Sequence, residues 1–140
     1  MIENLKKYKT FSFPLDGVLI DEIDGSINPN KDEMQELVKE LIKNGKQVFI
    51  ITKRYDKNDY DPFSRKNKNK KELLEESEMA EKIADKLNID RGNIIFTNRN
   101  NYFSYFSDTD THCHFDTSKY EIALLKEWKP SIKTFNIKER

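Results

Sequence analysis

The chain has 140 residues, long enough for one hydrophobic core and too short for two, so we expect residues 1–140 to form a single domain. Its 25 basic residues balance 25 acidic ones, and this zero net charge argues against nucleic acid or an anionic membrane as partner. No apolar run approaches the roughly 20 residues of a membrane span, and residues 1–7 lack the hydrophobic segment of a signal peptide. With Cys113 as the single cysteine, no internal disulfide can form, and we expect a soluble, cytoplasmic protein.

The first half of the chain alternates strand and helix patterns. Residues 8–15 and 47–52 are short runs of aromatic and β-branched side chains, typical of strands that are covered on both faces. Between them, apolar residues recur at helical spacing over 34–42, and Asn44 with Gly45 is a typical helix stop. A strand, a helix and a strand in this order form a right-handed crossover, which predicts neighbouring parallel strands.

The second half continues the alternation. Its patterns predict a helix over 71–87, a strand over 93–97, a short helix over 102–106, a strand over 112–115, a helix over 120–126 and an edge strand over 132–137. The predicted apolar stripe of the first of these helices is Leu73, Leu74, Met79, Ile83, Ala84 and Leu87. The predicted fold is therefore α/β, a three-layer sandwich around a central, mainly parallel sheet.

Two segments fall outside this alternation. In residues 19–28, apolar residues flank Asp24 and Gly25, a turn signal that predicts a small β-hairpin. Residues 54–71 form a polar loop in which five of the basic residues lie close together, namely Arg65, Lys66, Lys68, Lys70 and Lys71. We interpret this loop as flexible and solvated, because lysine-rich loops commonly serve solubility, with a phosphate-binding patch as the alternative.

Three motifs carry a resemblance to a known family. The first strand runs through Phe13-Pro14-Leu15-Asp16-Gly17-Val18, the second ends in Phe49-Ile-Ile-Thr52, and the fourth continues as Phe115-Asp116-Thr117-Ser118-Lys-Tyr120-Glu-Ile. In residue types, order and spacing these motifs resemble those of haloacid dehalogenase-like (HAD) phosphohydrolases. The resemblance covers nearly the whole chain. The resemblance implies a small member of that superfamily, with the hairpin of residues 19–28 as a flap and no large cap domain.

The resemblance also implies roles for particular residues. In the family, an Asp-x-Asp-Gly motif supplies an attacking carboxylate and an acid/base carboxylate, a Thr or Ser holds a phosphoryl oxygen, and acidic residues at a later strand end hold magnesium. The residues that this assigns are Asp16 as remnant acid/base, Thr52 as phosphate-holding hydroxyl, Lys53, Arg54 and Arg99 as substrate-binding cations, and Asp116 with Asp16 as ligands of Mg²⁺.

The same motifs lack three groups that the family's chemistry needs. Pro14 stands where the attacking aspartate belongs, and proline has neither a nucleophile nor a backbone donor. Asn100 and Asn101 occupy the place of the expected lysine, and Thr117 that of a second acidic ligand. Covalent catalysis cannot form its intermediate without the attacking carboxylate. Magnesium favours six oxygen ligands, so a site built on one or two carboxylates is weak or absent.

Several other residues have a structural and a functional interpretation. Asp16 could cap the turn at Gly17, and Asp116 could cap the following helix rather than serve a site. His112 and His114 share one face of a strand and could hold zinc, but no further ligand is evident, so buried packing is favoured, as it is for Cys113. The aromatic residues of 102–106 could stack on a ligand or a partner, although packing of a short helix is the favoured interpretation.

Three functions follow from these patterns. The leading hypothesis is a HAD-like pseudoenzyme that binds or scaffolds, with an unknown protein partner or a second copy of itself. The first alternative is a magnesium-dependent phosphomonoesterase with a rearranged site built on Asp16, Thr52 and Asp116, acting on a small phosphorylated ligand. The second alternative is binding of nucleotide or nucleic acid through the basic loop of residues 54–71, which predicts salt-sensitive affinity.

Overall fold

The computed structural model describes residues 2–59, 69–106 and 112–138. In this part of the chain the strands are β1 (Thr10–Pro14), β2 (Gln47–Thr52), β3 (Ile94–Phe96), β4 (His112–Asp116) and β5 (Lys133–Asn136). The α-helices of the same part are α1 (Lys31–Lys43), α2 (Lys70–Leu87) and α3 (Lys119–Trp128). A short 3₁₀ helix, Tyr102–Tyr105, precedes β4. Each predicted strand and helix therefore forms, with bounds that differ by a few residues.

The five strands form one parallel sheet in the order β3-β2-β1-β4-β5. The α1 and α2 helices pack on one face of the sheet in the larger hydrophobic core, and α3 packs with the 3₁₀ helix on the other. This arrangement confirms the predicted three-layer α/β sandwich. The strand order changes direction between β1 and β4, and such a switch point leaves a crevice at the carboxyl ends of the two strands.

The sheet is apolar on one face and partly polar on the other. On β1, Phe11 and Phe13 point into the larger core, where Phe13 stacks on Phe115 with ring centroids 4.9 Å apart. Ser12 and Pro14 alternate with them and point to the opposite face, where both are buried. The central strand therefore places a hydroxyl and a proline beneath the layer that contains α3.

Pro14 ends the pairing of β1 with β4. The N–H of Leu15 donates to the carbonyl of Ile51 on β2 (3.2 Å), so by strand alternation the backbone of residue 14 faces β4. Proline has no N–H to donate there, and the register of β1 with β4 stops at Ser12 and His114, whereas that with β2 continues to Pro14. The proline thereby helps to keep the crevice between β1 and β4 open.

The α2 helix buries a face that differs from the predicted stripe. Leu74 and Met79 are partly exposed, at 38% and 37% of their surface. Glu76 and Ser77 are buried instead, because they follow Leu73 by three and four residues and therefore share its face. Including Leu74 and Met79 in the predicted stripe was wrong, and the polar pair marks the part of α2 that faces the carboxyl ends of the strands.

Residues 17–28, all of which the structure describes, form consecutive turns rather than the predicted β-hairpin. The turn itself forms as expected, with the N–H of Gly25 donating to the carbonyl of Glu22 (2.9 Å), but no strand pair flanks it. The amide of Asn28 explains the difference, because its Nδ2 donates to the carbonyls of Val18 (3.0 Å) and Ile20 (3.1 Å). The Asn28 side chain thus occupies backbone acceptors that the hydrogen bonds of a hairpin would use. The predicted hairpin is therefore wrong, and the segment is a compact loop.

Half of the predicted basic loop, residues 60–68, lies outside the described residues, and this half includes Arg65, Lys66 and Lys68. Lys70 and Lys71 open α2 in place of ending that loop. No helix in the described part of the chain is both long enough and apolar enough to cross a membrane.

Candidate functional site

The residues that the motifs single out gather at the carboxyl ends of the strands. We call them the carboxyl-edge cluster, and its members are Asp16, Thr52, Lys53, Arg54, Arg99 and Asp116. Asp16 lies just after β1 and Asp116 ends β4, so the two acids flank the switch point. Thr52 ends β2 and is followed directly by Lys53 and Arg54.

Asp16 forms a two-point ion pair with Arg54. The Nε of Arg54 donates to Oδ2 of Asp16 at 2.9 Å, and Nη2 donates to Oδ1 at 2.8 Å. Both side chains are largely buried, with 14% of Arg54 and 19% of Asp16 exposed. The hydrogen bonds to Asp16 raise the pKa of the guanidinium, against the opposing effect of burial. Asp16 thus engages a cation that follows the neighbouring strand β2, and the interpretation of it as a simple turn cap does not describe this contact.

Thr52 orients the residue that holds Asp16. Its hydroxyl is buried and accepts a hydrogen bond from the backbone N–H of Arg54 (3.2 Å). Its carbonyl accepts from the N–H of Thr97 (2.8 Å), which extends the pairing of β2 with the chain after β3. The hydroxyl that the family resemblance assigns to phosphate is therefore engaged in the turn that leads to Arg54.

Asp116 is fully enclosed by donors at the start of α3. Its Oδ1 accepts from the backbone N–H groups of Thr117 (2.7 Å) and Ser118 (3.0 Å), and its Oδ2 lies 2.8 Å from Nε2 of His114. Ser118 in turn caps α3 by accepting from the N–H of Glu121 (3.2 Å). Asp116 thus orders the turn from β4 into α3, whereas the cap of α3 itself is Ser118 and not Asp116.

Lys53 is paired with a buried carboxylate from α3. Its Nζ lies 2.6 Å from Oε1 of Glu121, which is 2% exposed, and 5.5 Å from the centre of the Tyr102 ring. The other oxygen of Glu121 accepts from the backbone N–H of Tyr102 (3.2 Å). Burial, followed by the charges of Asp116 and Glu121, raises the pKa of the Tyr102 hydroxyl. One carboxylate therefore joins β2, the 3₁₀ helix and α3.

Arg99 is paired with the buried polar face of α2. Its Nη1 lies 3.1 Å from Oε1 of Glu76 and donates to the carbonyl of Lys53 at 2.6 Å. The guanidinium also stacks over the Tyr55 ring at 4.8 Å. Arg99 has a left-handed backbone (φ 73°), which is unfavourable for a residue other than glycine, and these contacts offset that strain.

A buried chain of hydrogen bonds extends from Asp116 beneath the 3₁₀ helix. Ser12 Oγ lies 2.7 Å from Nδ1 of His114 and 2.9 Å from Nε2 of His112, and His114 continues to Asp116. A serine, a histidine and an acid in sequence suggest nucleophilic catalysis, but Ser12 and His114 have no exposed surface, so no substrate can reach them. The prediction of buried histidines is confirmed.

Burial also sets the ionisation of two residues on β4. It lowers the pKa of His112 to about 4, with the nearby His114 as a smaller cause, so His112 is neutral near pH 7. It raises the pKa of the Cys113 thiol to about 12, which keeps the thiol protonated and unreactive. Cys113 is fully buried, as predicted.

Four further residues complete this region as hydrogen-bond or ion-pair partners, namely Ser12, Glu76, His114 and Glu121. The sequence analysis gave no role to Ser12 or Glu76, quoted Glu121 in the third motif without a role, and interpreted His114 as buried packing. Glu76 has a signal in the sequence, since it falls on the inward face of α2 three residues after Leu73. Glu121 similarly precedes the buried Ile122 and follows the cap of α3 by three residues. A carboxylate at a position where helical spacing requires burial predicts a cationic partner nearby.

The donors around the two aspartates do not fit a magnesium site. Both oxygens of Asp16 accept from Arg54, and both oxygens of Asp116 are engaged by His114 or the turn amides. Within residues 2–59, 69–106 and 112–138, no three acidic, histidine or cysteine side chains group as metal ligands. A metal would have to displace a guanidinium from Asp16, and magnesium favours oxygen ligands in near-ideal octahedral geometry.

The cations of the carboxyl-edge cluster are likewise engaged. Arg54 pairs with Asp16, Lys53 with Glu121, and Arg99 with Glu76. A bound phosphate would have to compete with these carboxylates for each cation. The structure therefore brings together every residue that the motifs single out, but in contacts with other parts of the same chain.

Comparisons with known proteins do not identify a family for this chain. No protein-family model and no curated protein matches the sequence. Among solved structures, the chain is similar to the N-terminal part of the protein BF1531 from Bacteroides fragilis, which contains a phosphatase domain complexed with Mg. The identity is 18% and the TM-score 0.49, over 92% of this chain and 36% of that chain. The chain thus spans about a third of the length of that solved chain, and similarity at this level does not carry function from one protein to the other.

Proposed function

We propose that this chain is a HAD-like protein that does not hydrolyse phosphomonoesters and that acts by binding a partner. The observation that carries the proposal is the two-point contact of Arg54 with Asp16 beside a proline at residue 14. The attacking carboxylate is replaced, and the carboxylate that would move the leaving-group proton is occupied by a guanidinium. The family's reaction needs one carboxylate to attack the phosphorus atom and a second carboxylate to transfer a proton, and neither is then available.

The remaining contacts support the same proposal. A phosphoryl group needs cations and N–H donors aimed at its oxygens, and these must be available when the substrate arrives. Here Lys53 and Arg99 contact Glu121 and Glu76, and the hydroxyl of Thr52 accepts from the backbone of Arg54. Opening the site for a phosphate would therefore require breaking several interactions at once.

Restoration of the missing carboxylate tests the proposal. The wild-type protein, Pro14→Asp and Pro14→Ala would be assayed with Mg²⁺ and a panel of phosphomonoesters, with circular dichroism to verify that each is folded. Pro14→Ala is the matched control, because it restores the backbone N–H without a carboxylate. We expect all three proteins to show no turnover above the uncatalysed rate, since Arg54 still occupies Asp16.

A second pair of variants separates the causes. Pro14→Asp combined with Arg54→Met supplies the carboxylate and also releases Asp16, and we expect any recovered Mg²⁺-dependent turnover to require both changes. Wild-type turnover that Asp16→Asn abolishes would overturn the proposal and favour a phosphatase with a rearranged site. Calorimetric titration with Mg²⁺ alone provides an independent measurement, in which we expect no binding by the wild-type protein in the millimolar range.

A further inference from the structure

The open side of β5 borders a groove that is distinct from the carboxyl-edge cluster. β5 is the last strand in the sheet order, and in the described part of the chain only β4 pairs with it. Its groove has a volume of about 250 Å³. The residues that line it are Lys119, Ile122, Ala123 and Lys126 from α3 and Thr134 and Asn136 from β5. The helix residues recur at spacings of three and four, so one face of α3 forms one wall of the groove.

Among the residues that the structure describes, the backbone of β5 has unpaired positions along its outer edge. The N–H of Ile137 donates to the carbonyl of Asp116 (3.0 Å), so by alternation the backbone groups of residues 133, 135 and 137 face β4. Those of Thr134 and Asn136 therefore face away from β4, along the open edge. An extended peptide that adds to a sheet edge uses such alternate N–H and carbonyl groups and places side chains in the adjacent pocket.

Residues 117–138, which include α3 and β5, carry more basic than acidic residues, although the whole chain is neutral. Residues 117–138 contain five lysines and two glutamates, and one of these glutamates, Glu121, is buried against Lys53. Lys126 is exposed and lies on the wall of the groove that α3 forms. An acidic side chain of an extended peptide in the groove could therefore reach its ammonium group.

We propose that the groove between β5 and α3 binds an extended acidic peptide segment of another protein, which adds to the sheet as a sixth strand. The proposal rests on the binding function proposed above and names the kind of partner. A second copy of this chain is disfavoured at this edge, because pairing two β5 strands would bring lysines together, and lysines on edge strands oppose such pairing.

A displayed library of random 12-residue peptides tests this proposal. We expect selection on the wild-type protein to enrich peptides rich in Asp and Glu, whose affinity falls as salt concentration rises. Lys126→Glu should weaken the binding of a selected peptide about tenfold, because attraction becomes repulsion. The matched control is Lys86→Glu, an exposed lysine in the last turn of α2, which should leave affinity unchanged.

Methylation of the peptide backbone tests strand addition without altering the protein's fold. Two versions of a selected peptide would carry N-methyl groups at alternate residues, one at the odd and one at the even positions. The version in which the methylated nitrogens face β5 should lose binding, and the other version should keep it. Equal effects in both versions, no enrichment of acidic peptides, or binding that Lys126→Glu leaves intact would each overturn the proposal. Concentration-dependent dimers without acidic peptide enrichment would instead assign the edge to a second copy.

These outcomes are independent of the phosphatase assays. Turnover by the wild-type protein would overturn the proposed loss of catalysis. It would not affect the proposed peptide binding at β5, which the peptide selection tests separately. Failure of peptide selection with inactive wild-type protein would overturn only the assignment of this groove. The two proposals can therefore fail separately.

Discussion

The carboxyl-edge cluster and the groove beside β5 contain similar side chains in opposite situations. In the cluster, each cation contacts a carboxylate of the same chain, and these carboxylates are mostly buried. In the groove, the exposed Lys126 of α3 lies beside positions of β5 that are unpaired within the described residues. Buried ion pairs become necessary to the fold once formed, whereas an exposed lysine such as Lys126 contributes little to stability and can contact a partner.

This difference favours a structural role for the residues on which the resemblance to phosphatases rests. Asp16, Thr52 and Asp116 order the segments that follow β1, β2 and β4 through hydrogen bonds that the structure describes. Their presence is therefore explained by folding and does not require that they perform chemistry. The contrast predicts that substitutions in the cluster reduce stability, while substitutions in the groove reduce binding alone.

The largest effect on stability is expected from Asp116→Ala. The substitution leaves His114 and the backbone N–H groups of Thr117 and Ser118 without their acceptor in a buried site. We expect the free energy of unfolding to fall by about 3 kcal/mol or more, measured by denaturant titration. Asp116→Asn is the matched control, because an amide oxygen can still accept from the turn, and it should lose less.

Comparable stability of the alanine variant and the wild-type protein would contradict the enclosure of Asp116. It would also weaken the contrast between the two regions, since the cluster would then tolerate substitution as a surface does. A second measurement, the near-ultraviolet circular dichroism of the nearby aromatic residues, would show whether the turn into α3 loosens in the variant.

The second prediction concerns the pH dependence that His112 introduces. Its pKa is about 4 in the folded protein and about 6.5 in the unfolded chain. Above pH 6.5 both states are neutral and no effect arises. As pH falls from 6.5 to 4, the unfolded chain binds a proton that the folded protein does not, so stability decreases by about 3 kcal/mol in total.

The control for this prediction is His112→Gln, which removes the titrating group and keeps a polar contact for Ser12. The stability of the wild-type protein should fall more steeply than that of the variant between pH 6.5 and 4, so the two curves approach each other. Curves that run parallel over this range would show that His112 is not held neutral by burial.

The fold could be predicted from the sequence because its signals are local and repeated. Apolar spacing identified α1, and the β-branched run of 47–52 gave β2 with the bounds that the structure has. The strand and helix alternation then required parallel crossovers. The hairpin at residues 19–28 was predicted wrongly because a side chain, Asn28, competes for the backbone acceptors, and a turn signal contains no information about that competition.

The candidate site was predictable in position but not in its contacts. Motif residues at strand ends had to meet at one edge of a parallel sheet, and they do. Their partners could not be derived from the motifs, because Glu76 comes from the middle of α2 and Glu121 from α3, far apart in sequence. The pairing of Arg54 with Asp16 depends on the turn after Thr52, which no sequence pattern specifies.

The third prediction compares an enclosed ion pair with an exposed one of similar geometry. A double-mutant cycle of Asp16→Asn and Arg54→Met should give a coupling energy of about 1–2 kcal/mol, because both side chains are largely buried. The matched cycle uses Asp85→Asn and Arg91→Met, whose two-point contact is more than half exposed. We expect a smaller coupling there, and equal couplings would show that enclosure adds nothing.

The smallest effect on stability is expected from Lys126→Glu in the groove. Lys126 lies in the last turn of α3, where a negative charge opposes the helix dipole, so we expect a loss within about 0.5 kcal/mol. Lys86→Glu should lose a similar amount, since Lys86 is also an exposed lysine in the last turn of a helix. Denaturant titration of both variants beside peptide binding separates the roles, because only Lys126→Glu should reduce affinity. A large loss of stability specific to Lys126→Glu would place this lysine among the structural residues and remove the contrast between the groove and the cluster.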